Sequence, residues 1–265
     1  MAKLSDYKTI RHSRQGRVLT LELNQPEKLN AIGREMHDEL SSIFLAANDD
    51  PDSDIIVLTG AGRAFSAGGD IAWMQQAIDD PKEFDRIVRE GKRIIFSLLE
   101  CEKPVIAKLN GHATGLGATI ALFCDVVFAA EHAKIGDPHV AVGLTAGDGG
   151  AVIWPQLVGY GRAKHYLMTG DLIPAPHAAD MGLILQAVPA ADLDATVDAY
   201  AQRLAAGALL AIRTTKMSVN LGLRQLAHGI LDLSLAYETQ SNRSADHREA
   251  AKAFAEKRSP AFRGD

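Results

Sequence analysis

Residues 55–71 read IIVLTGAGRAFSAGGDI, a run that changes abruptly from apolar and β-branched residues to small ones. Ile55–Thr59 has the composition of a short buried strand. The small residues that follow include four glycines between positions 60 and 69. Glycine is favoured where the backbone must turn sharply or be approached closely. The stretch therefore predicts a strand that leads into a tight loop, and this loop is the first candidate for a functional site.

The pattern of a strand followed by a glycine-rich loop recurs further along the chain. The clusters at 60–69, 111–117 and 143–161 hold four, three and six of the 23 glycines. The second cluster directly follows a predicted strand over Val105–Leu109, as the first follows Ile55–Thr59. Two backbone N–H groups that point from such loops at one atom form an oxyanion hole. Loops 67–70 and 115–117 can each supply one N–H.

Other functional motifs that contain glycine match the sequence less well. Residues 60–65 (GAGRAF) and 115–120 (GLGATI) both lack the third small residue of a dinucleotide fingerprint, and no phosphate-binding G-x-x-x-x-G-K-[ST] occurs. Ser66 is a near miss for a nucleophile elbow, and a small hydroxyl in a loop is the better interpretation. The histidines do not fall at metal-ligand spacing, so no metal is predicted.

Periodicity predicts an α/β core followed by helices. The predicted strands are Val18–Leu23, Ile55–Thr59, Val105–Leu109 and Asp125–Ala130, and the predicted helices are Arg34–Asn48, Phe84–Leu99, Thr119–Phe123, Ile153–Val158, Arg162–Met168, Leu193–Ala206, Leu209–Val219 and Leu226–Glu256. The chain is thus divided into a core, 1–195, and a C-terminal helical region, 196–265.

Composition excludes several classes of protein. The chain has 265 residues, of which 47% are hydrophobic, and a net charge of −5, so no basic excess points to nucleic acid or an anionic membrane surface. Its two cysteines cannot form a disulfide framework, which favours a reducing compartment. We see no signal peptide and no apolar run of about 18 residues. The expected location is therefore the cytoplasm.

Five motifs occur in order along nearly the whole chain. They are NQPEKLNA at 24–31, AFSAGGDI at 64–71, KPVIA at 103–107 with NGHATGLG at 110–117, CD at 124–125 and FAEKR at 254–258. In these motifs the chain resembles the crotonase (enoyl-CoA hydratase/isomerase) superfamily. The resemblance implies the crotonase (ClpP-like) α/β fold, a spiral of ββα turns. It also implies a C-terminal region that assembles a trimer or a dimer of trimers.

The resemblance further implies an acyl-CoA thioester as the substrate. Its enolate would be held by the backbone N–H groups of Gly69 and Leu116. The CoA part would contact Lys28, Ala31, Ala64 and Ala67 of this chain. Phe254 and Lys257 would reach the CoA bound to a neighbouring subunit. No separate cofactor is expected, because CoA enters as part of the substrate.

The chain departs from the family where hydratases carry two catalytic glutamates. Thr119 stands at the first of these positions and His139 at the second. Threonine hydrogen-bonds but does not titrate near neutral pH, whereas histidine does. The chain thus looks like an atypical member of the superfamily.

Asp148, within the third glycine cluster, is the candidate replacement carboxylate. Two interpretations stay open: a helix N-cap, or an acid/base group acting with His139. His139 is either a packed side chain or exchanges protons with Asp148. The expected reaction is 2-enoyl-CoA hydration or double-bond isomerisation. Decarboxylation, thioester hydrolysis, C–C cleavage and non-catalytic acyl-CoA binding are the alternatives.

Overall fold

The computed structural model describes residues 3–265, which form two β-sheets surrounded by helices. The larger sheet has six strands, in the order β1 (Ile10–Gln15), β2 (Val18–Leu23), β3 (Ile55–Gly60), β5 (Val105–Leu109), β7 (Val126–Ala130) and β10 (Gln186–Val188). Only β1 runs antiparallel to its neighbour; the other pairs are parallel. Every residue of β3 is buried, as expected for a central parallel strand covered on both faces.

The smaller sheet has four short strands, in the order β4 (Ala64–Ser66), β6 (His112–Thr114), β8 (Lys134–Gly136) and β9 (Ile173–Pro174). Each of its first three strands directly follows a strand of the larger sheet: β4 follows β3, β6 follows β5, and β8 follows β7. A helix comes after each pair. This repeated ββα turn is the spiral expected from the resemblance.

Nine α-helices complete the described part of the chain: α1 (Arg34–Asn48), α2 (Ile71–Asp79), α3 (Pro81–Glu100), α4 (Leu116–Phe123), α5 (Gly150–Thr169), α6 (Ala175–Asp180), α7 (Leu193–Ala205), α8 (Leu209–Asn242) and α9 (Ala245–Ala255). The helices predicted at 153–158 and 162–168 are joined in α5 across a kink at Gly159. The C-terminal boundaries were wrong, because α8 continues through 220–225 and ends at Asn242. Ser244 then caps α9 by accepting a hydrogen bond from the His247 N–H at 3.0 Å.

The core lies on both faces of the larger sheet. The main cluster of buried apolar side chains includes Leu40 and Phe44 of α1 and Leu98 of α3. A smaller cluster on the other face is covered by α7, through Leu193 and Val197. The predicted division between residues 195 and 196 falls inside α7. The two-part organisation therefore stays a prediction.

Two further features follow from the described residues. Cys101 and Cys124 are free and buried. Among residues 3–265, no helix has the length and apolar character needed to cross a membrane.

Candidate active site

Two neighbouring strands of the smaller sheet deliver two loops to the same place. β4 ends at Ser66 and leads through residues 67–69 to α2, whose N-cap Asp70 accepts a hydrogen bond from the Trp73 N–H at 3.0 Å. β6 ends at Thr114 and leads through Gly115 straight into α4. Because β4 and β6 are adjacent and parallel, the loops emerge side by side.

Glycine allows these loops to approach each other closely. Gly68 has φ of +82°, and a Cβ atom there would lie 2.9 Å from the Thr114 carbonyl oxygen. Gly115 has φ of +54°, and its added Cβ would lie 3.6 Å from the Gly68 Cα. Positive φ disfavours any larger residue at both positions, and at Gly68 the close carbonyl oxygen does so as well. The sequence therefore uses glycine here for geometric reasons.

The loops present two backbone N–H groups without acceptors. The Ile32 N–H donates to the Gly68 carbonyl at 2.7 Å, and the Asp70 N–H donates to the Ile32 carbonyl at 3.0 Å. This bridge uses the neighbours of Gly69 and leaves its own N–H free. Leu116 is the first residue of α4, where an N–H has no partner within the helix. Among residues 3–265, neither N–H has a protein acceptor.

Both residues line one cavity of about 200 Å³. Most of its wall is apolar and comes from α2, α3, α8 and the segment before α5: Ile71, Met74, Ala77, Phe84, Ile87, Val88, Leu144 and Leu235. Seven polar residues also line this cavity: His37, Thr114, His139, Asp148, Glu238, Asn242 and His247. The site thus combines an apolar chamber with titratable groups.

Asp148 is buried, with 7% of its surface exposed. Its Oδ1 accepts a hydrogen bond from the Thr119 hydroxyl at 3.2 Å, and its Oδ2 lies 3.5 Å from His139 Nε2. Burial raises the pKa of Asp148, while the charge of His139 and the Thr119 hydrogen bond oppose that rise. The N-cap of α5 is Gly149, and a contact with the Gly150 backbone at the start of α5 also lowers the pKa of Asp148. The catalytic role of Asp148 stays a prediction.

His139 bridges two carboxylates. Its Nδ1 is hydrogen-bonded to Asp137, and its Nε2 faces Asp148. Burial lowers the pKa of His139, but the charges of Asp137 and Asp148 outweigh burial and raise the pKa well above its ordinary value. These charges favour the imidazolium form of His139. Its proton exchange with Asp148 stays a prediction.

The same three residues are the candidate metal ligands of the described chain. One ligand atom from each of Asp137, His139 and Asp148 lies within 4.8 Å of the others. A metal ion requires a neutral imidazole, whereas these carboxylates favour the imidazolium form of His139. The arrangement fits proton transfer, and the absence of a metal stays a prediction.

Glu238 and His247 are among the polar side chains of the cavity that were missed in the sequence. Glu238 of α8 has 6% of its surface exposed, and His247 of α9 has 1%. Burial and the charge of Asp148 raise the pKa of Glu238 to about 8. The helical periodicity of 226–256 does not distinguish these two positions from their neighbours. They line the same cavity as Asp148 only because of the tertiary fold.

The residues predicted to contact CoA lie in two places. Ala64 is buried in β4 and Ala67 is exposed in the loop, where its N–H donates to the Leu29 carbonyl at 3.0 Å. Ala31 is half-buried in the adjoining segment, and Lys28 is exposed, with its Nζ 3.7 Å from Asp70 Oδ2.

Phe254 and Lys257 are both exposed, at the end of α9 and just beyond it. Neither residue lines the cavity of this chain. Their predicted contact with CoA on a neighbouring subunit stays a prediction.

Comparisons with known proteins show the family and the fold of this chain. The enoyl-CoA hydratase/isomerase family model matches residues 13–265. Crotonyl-CoA hydratase of Syntrophomonas wolfei is 35% identical over 263 residues, covering 97% of this chain and 98% of the relative. 1,2-Epoxyphenylacetyl-CoA isomerase of Escherichia coli is 35% identical over 251 residues, covering 93% and 95%. A solved enoyl-CoA hydratase/isomerase from Mycobacterium paratuberculosis superimposes with a TM-score of 0.90 at 35% identity, covering 93% of this chain and 99% of that one.

The fold and the site define an α/β enzyme with the crotonase spiral. The chain belongs to the enoyl-CoA hydratase/isomerase family of the crotonase superfamily. Its general chemistry is that of enoyl-CoA hydratases and isomerases.

Proposed function

We propose that this enzyme forms the enolate of an acyl-CoA thioester and moves a proton along the acyl chain, which isomerises an enoyl-CoA double bond. One observation carries the proposal: Asp148 lines the same cavity as the free N–H groups of Gly69 and Leu116. A carboxylate for proton transfer and two donors for the developing oxyanion are the groups that an enolate mechanism needs.

The two backbone N–H groups would donate to the thioester oxygen as it gains negative charge. They cost no reorganisation, because the sheet and the start of α4 fix their positions. Lys28, Ala31, Ala64 and Ala67 would hold the CoA part, and of these four Ala67 lines the cavity itself. Phe254 and Lys257 of a neighbouring subunit would complete that contact in a trimer or a dimer of trimers. No further cofactor is needed for this chemistry.

Isomerisation needs only one carboxylate. Asp148 takes a proton from C2 of a 3-enoyl-CoA, and the electron pair of that C–H bond delocalises onto the thioester oxygen. The protonated Asp148 then gives the proton to C4, and the double bond ends between C2 and C3. Burial raises the pKa of Asp148, but the charge of His139 lowers it and so favours the carboxylate form, and Asp137 orients His139.

Hydration of a 2-enoyl-CoA is the second candidate. It is favoured by the relative named crotonyl-CoA hydratase. Hydration adds a water hydroxyl to C3 and a proton to C2, so a water molecule must be held beside C3. With Thr119 and His139 at the positions of the family's glutamates, Asp148 would have to handle the proton of that water.

A substrate panel separates these reactions. Purified enzyme is given 3-hexenoyl-CoA and 2-hexenoyl-CoA, and the products are identified by mass and by the absorbance of the conjugated thioester. We expect the 3-enoyl substrate to isomerise without a change in mass, and Asp148→Asn to abolish that turnover. Faster gain of one water by the 2-enoyl substrate would favour hydration. Turnover of neither substrate would contradict both assignments.

A further inference from the structure

The proposed proton transfer leaves two buried groups of the cavity unused. Glu238 and His247 both line it, and they come from α8 and α9. Within the described chain, Glu238 Oε2 and His247 Nε2 are buried and have no hydrogen-bond partner. Buried polar atoms are rarely left unpaired in native proteins. Two such atoms in a ligand cavity point to a polar group on the ligand.

These atoms lie in the part of the cavity around Asp148 and His139: besides the effect of burial, the charge of Asp148 raises the pKa of Glu238, and the charge of His139 lowers the pKa of His247. A Cβ atom on Gly147, the residue before Asp148, would lie 2.8 Å from Glu238 Oε2. His247 packs on the turn before α5, where its Nδ1 lies 2.6 Å from the Val142 carbonyl oxygen. The thioester carbonyl belongs at Gly69 and Leu116, so Glu238 and His247 are placed to meet the acyl chain and not the CoA part.

The hydrogen-bonding roles of the two groups are complementary. The Val142 carbonyl can only accept, so His247 Nδ1 carries the proton and Nε2 offers a lone pair. Burial lowers the pKa of His247 and keeps it neutral. Burial raises the pKa of Glu238 to about 8, so near neutral pH this side chain is largely a carboxylic acid that can donate. A donor and an acceptor together match a hydroxyl group, which does both.

We propose that Glu238 and His247 form a subsite for a hydroxyl group on the acyl chain, so that the preferred substrates are hydroxylated enoyl-CoA thioesters. The hydroxyl oxygen accepts from the Glu238 carboxylic acid, and the hydroxyl proton is donated to His247 Nε2. A plain alkyl chain leaves both groups unpaired. The identification of the ligand as an acyl-CoA rests on the proposed function above.

Binding of unreactive ligands tests this subsite. Hexanoyl-CoA and its 4-, 5- and 6-hydroxy derivatives are saturated, so they can neither isomerise nor take up water. Their dissociation constants are measured by calorimetry on the wild-type enzyme. We expect at least one hydroxy isomer to bind roughly tenfold to a hundredfold more tightly than hexanoyl-CoA. Equal or weaker binding of all three would overturn the proposal, including the case in which a water molecule occupies the subsite.

Variants assign the preference to the two side chains. Glu238→Leu and His247→Phe should each bring the hydroxy isomer close to hexanoyl-CoA, whereas Glu238→Gln, which still donates, should retain most of the preference. Met74→Leu changes an apolar position of the same wall and should leave the preference intact. A preference that survives in both Glu238→Leu and His247→Phe would refute the assignment. Thermal melting shows whether each variant is folded.

This experiment is independent of turnover. A hydroxyl preference without isomerase or hydratase activity would contradict the proposed function and leave the subsite standing. Isomerase activity without a hydroxyl preference would support the proposed function and contradict the subsite.

Discussion

At the scale of single residues, Asp148 is surrounded by groups that favour opposite protonation states. Burial favours the neutral acid, whereas the charge of His139 and the hydrogen bond from Thr119 favour the carboxylate. A general base works best when its pKa lies close to the working pH. The balance around Asp148 therefore suits a group that both takes up and returns a proton.

Removal of the imidazolium should move the pH dependence of catalysis. In His139→Gln the positive charge that lowers the pKa of Asp148 is lost, so that pKa rises further. Because the base must be ionised, the acidic limb of the kcat/KM profile should shift to higher pH. The exposed His132→Gln serves as the control and should leave the profile in place. An unshifted acidic limb in His139→Gln would show that this charge does not act on the base.

Glu238 should make stability depend on pH. Its pKa rises from an ordinary 4.5 to about 8 on folding, so the folded state holds a proton that the unfolded state loses between those values. Stability therefore falls as pH rises through this window, toward a limit of a few kcal/mol at about 1.4 kcal/mol per pKa unit. The charges of Asp148 and Asp137 add to the burial, while that of His139 opposes it.

Glu238→Gln removes this penalty. The melting temperature of the variant relative to wild type should increase steadily from about pH 5 to about pH 8.5. Glu131→Gln, at an exposed position, should show no such trend. A difference that stays constant or decreases with pH would mean that Glu238 is ionised in the folded protein.

At the scale of elements, the bridge between Ile32 and Gly69 sets the direction of one of the two proposed oxyanion donors. The bridge is made by the Ile32 and Asp70 N–H groups, so it does not depend on the Gly69 N–H. Proline at position 69 therefore deletes the proposed donor without removing a hydrogen bond of the bridge.

Gly69→Pro should lower kcat by about a hundredfold to a thousandfold, the usual effect of losing one oxyanion donor. Gly69→Ala is the matched control, because it keeps the N–H and its Cβ meets only the flexible Met74 side chain, at 3.3 Å. The comparison is made by steady-state kinetics on variants with unchanged melting temperatures. Similar losses in both variants would point to steric disturbance instead of a missing donor.

The elements themselves show what local sequence can predict. Arg34–Asn48, Val18–Leu23 and Val105–Leu109 were predicted with the observed bounds, because each carries a periodic or continuous apolar pattern of sufficient length. The strands β4 and β6 were missed. They have three residues each, too few for a period, and their pairing is set by the larger sheet that precedes them.

The residues of the candidate site also divide into those that local sequence indicates and those that depend on the tertiary fold. Gly69, Leu116 and Asp148 were found from glycine clusters and motifs that lie in continuous stretches. Glu238 and His247 were not found, since they reach the cavity only when α8 and α9 fold back over it. Asp137, two residues before His139, is buried and bonded to it.

At the scale of the whole molecule, α8 exposes large apolar side chains. Leu210 is 79% exposed and Leu221 56%, and their spacing of about three helical turns places them on one face. Exposed apolar surface of this kind is typical of protein–protein contacts. It supports the proposed trimer or dimer of trimers.

Self-association can be measured by light scattering after gel filtration. We expect the wild type at three or six times the mass of one chain, and Leu210→Glu combined with Leu221→Glu at a lower mass. Asp198→Lys changes an exposed charge on α7 and should leave the assembly unchanged. A monomeric wild type, or a double variant with the wild-type mass, would contradict a role for this face.

The central claim is that Asp148 moves a proton at the carbon next to a thioester held by Gly69 and Leu116. Exchange of the C2 protons of hexanoyl-CoA in D₂O, followed by NMR, tests it directly, because exchange requires the enolate and no other step. We predict enzyme-dependent deuterium uptake with the wild type and a loss of about a hundredfold or more with Asp148→Asn, at an unchanged dissociation constant for hexanoyl-CoA. Equal exchange rates for the two proteins would contradict the account.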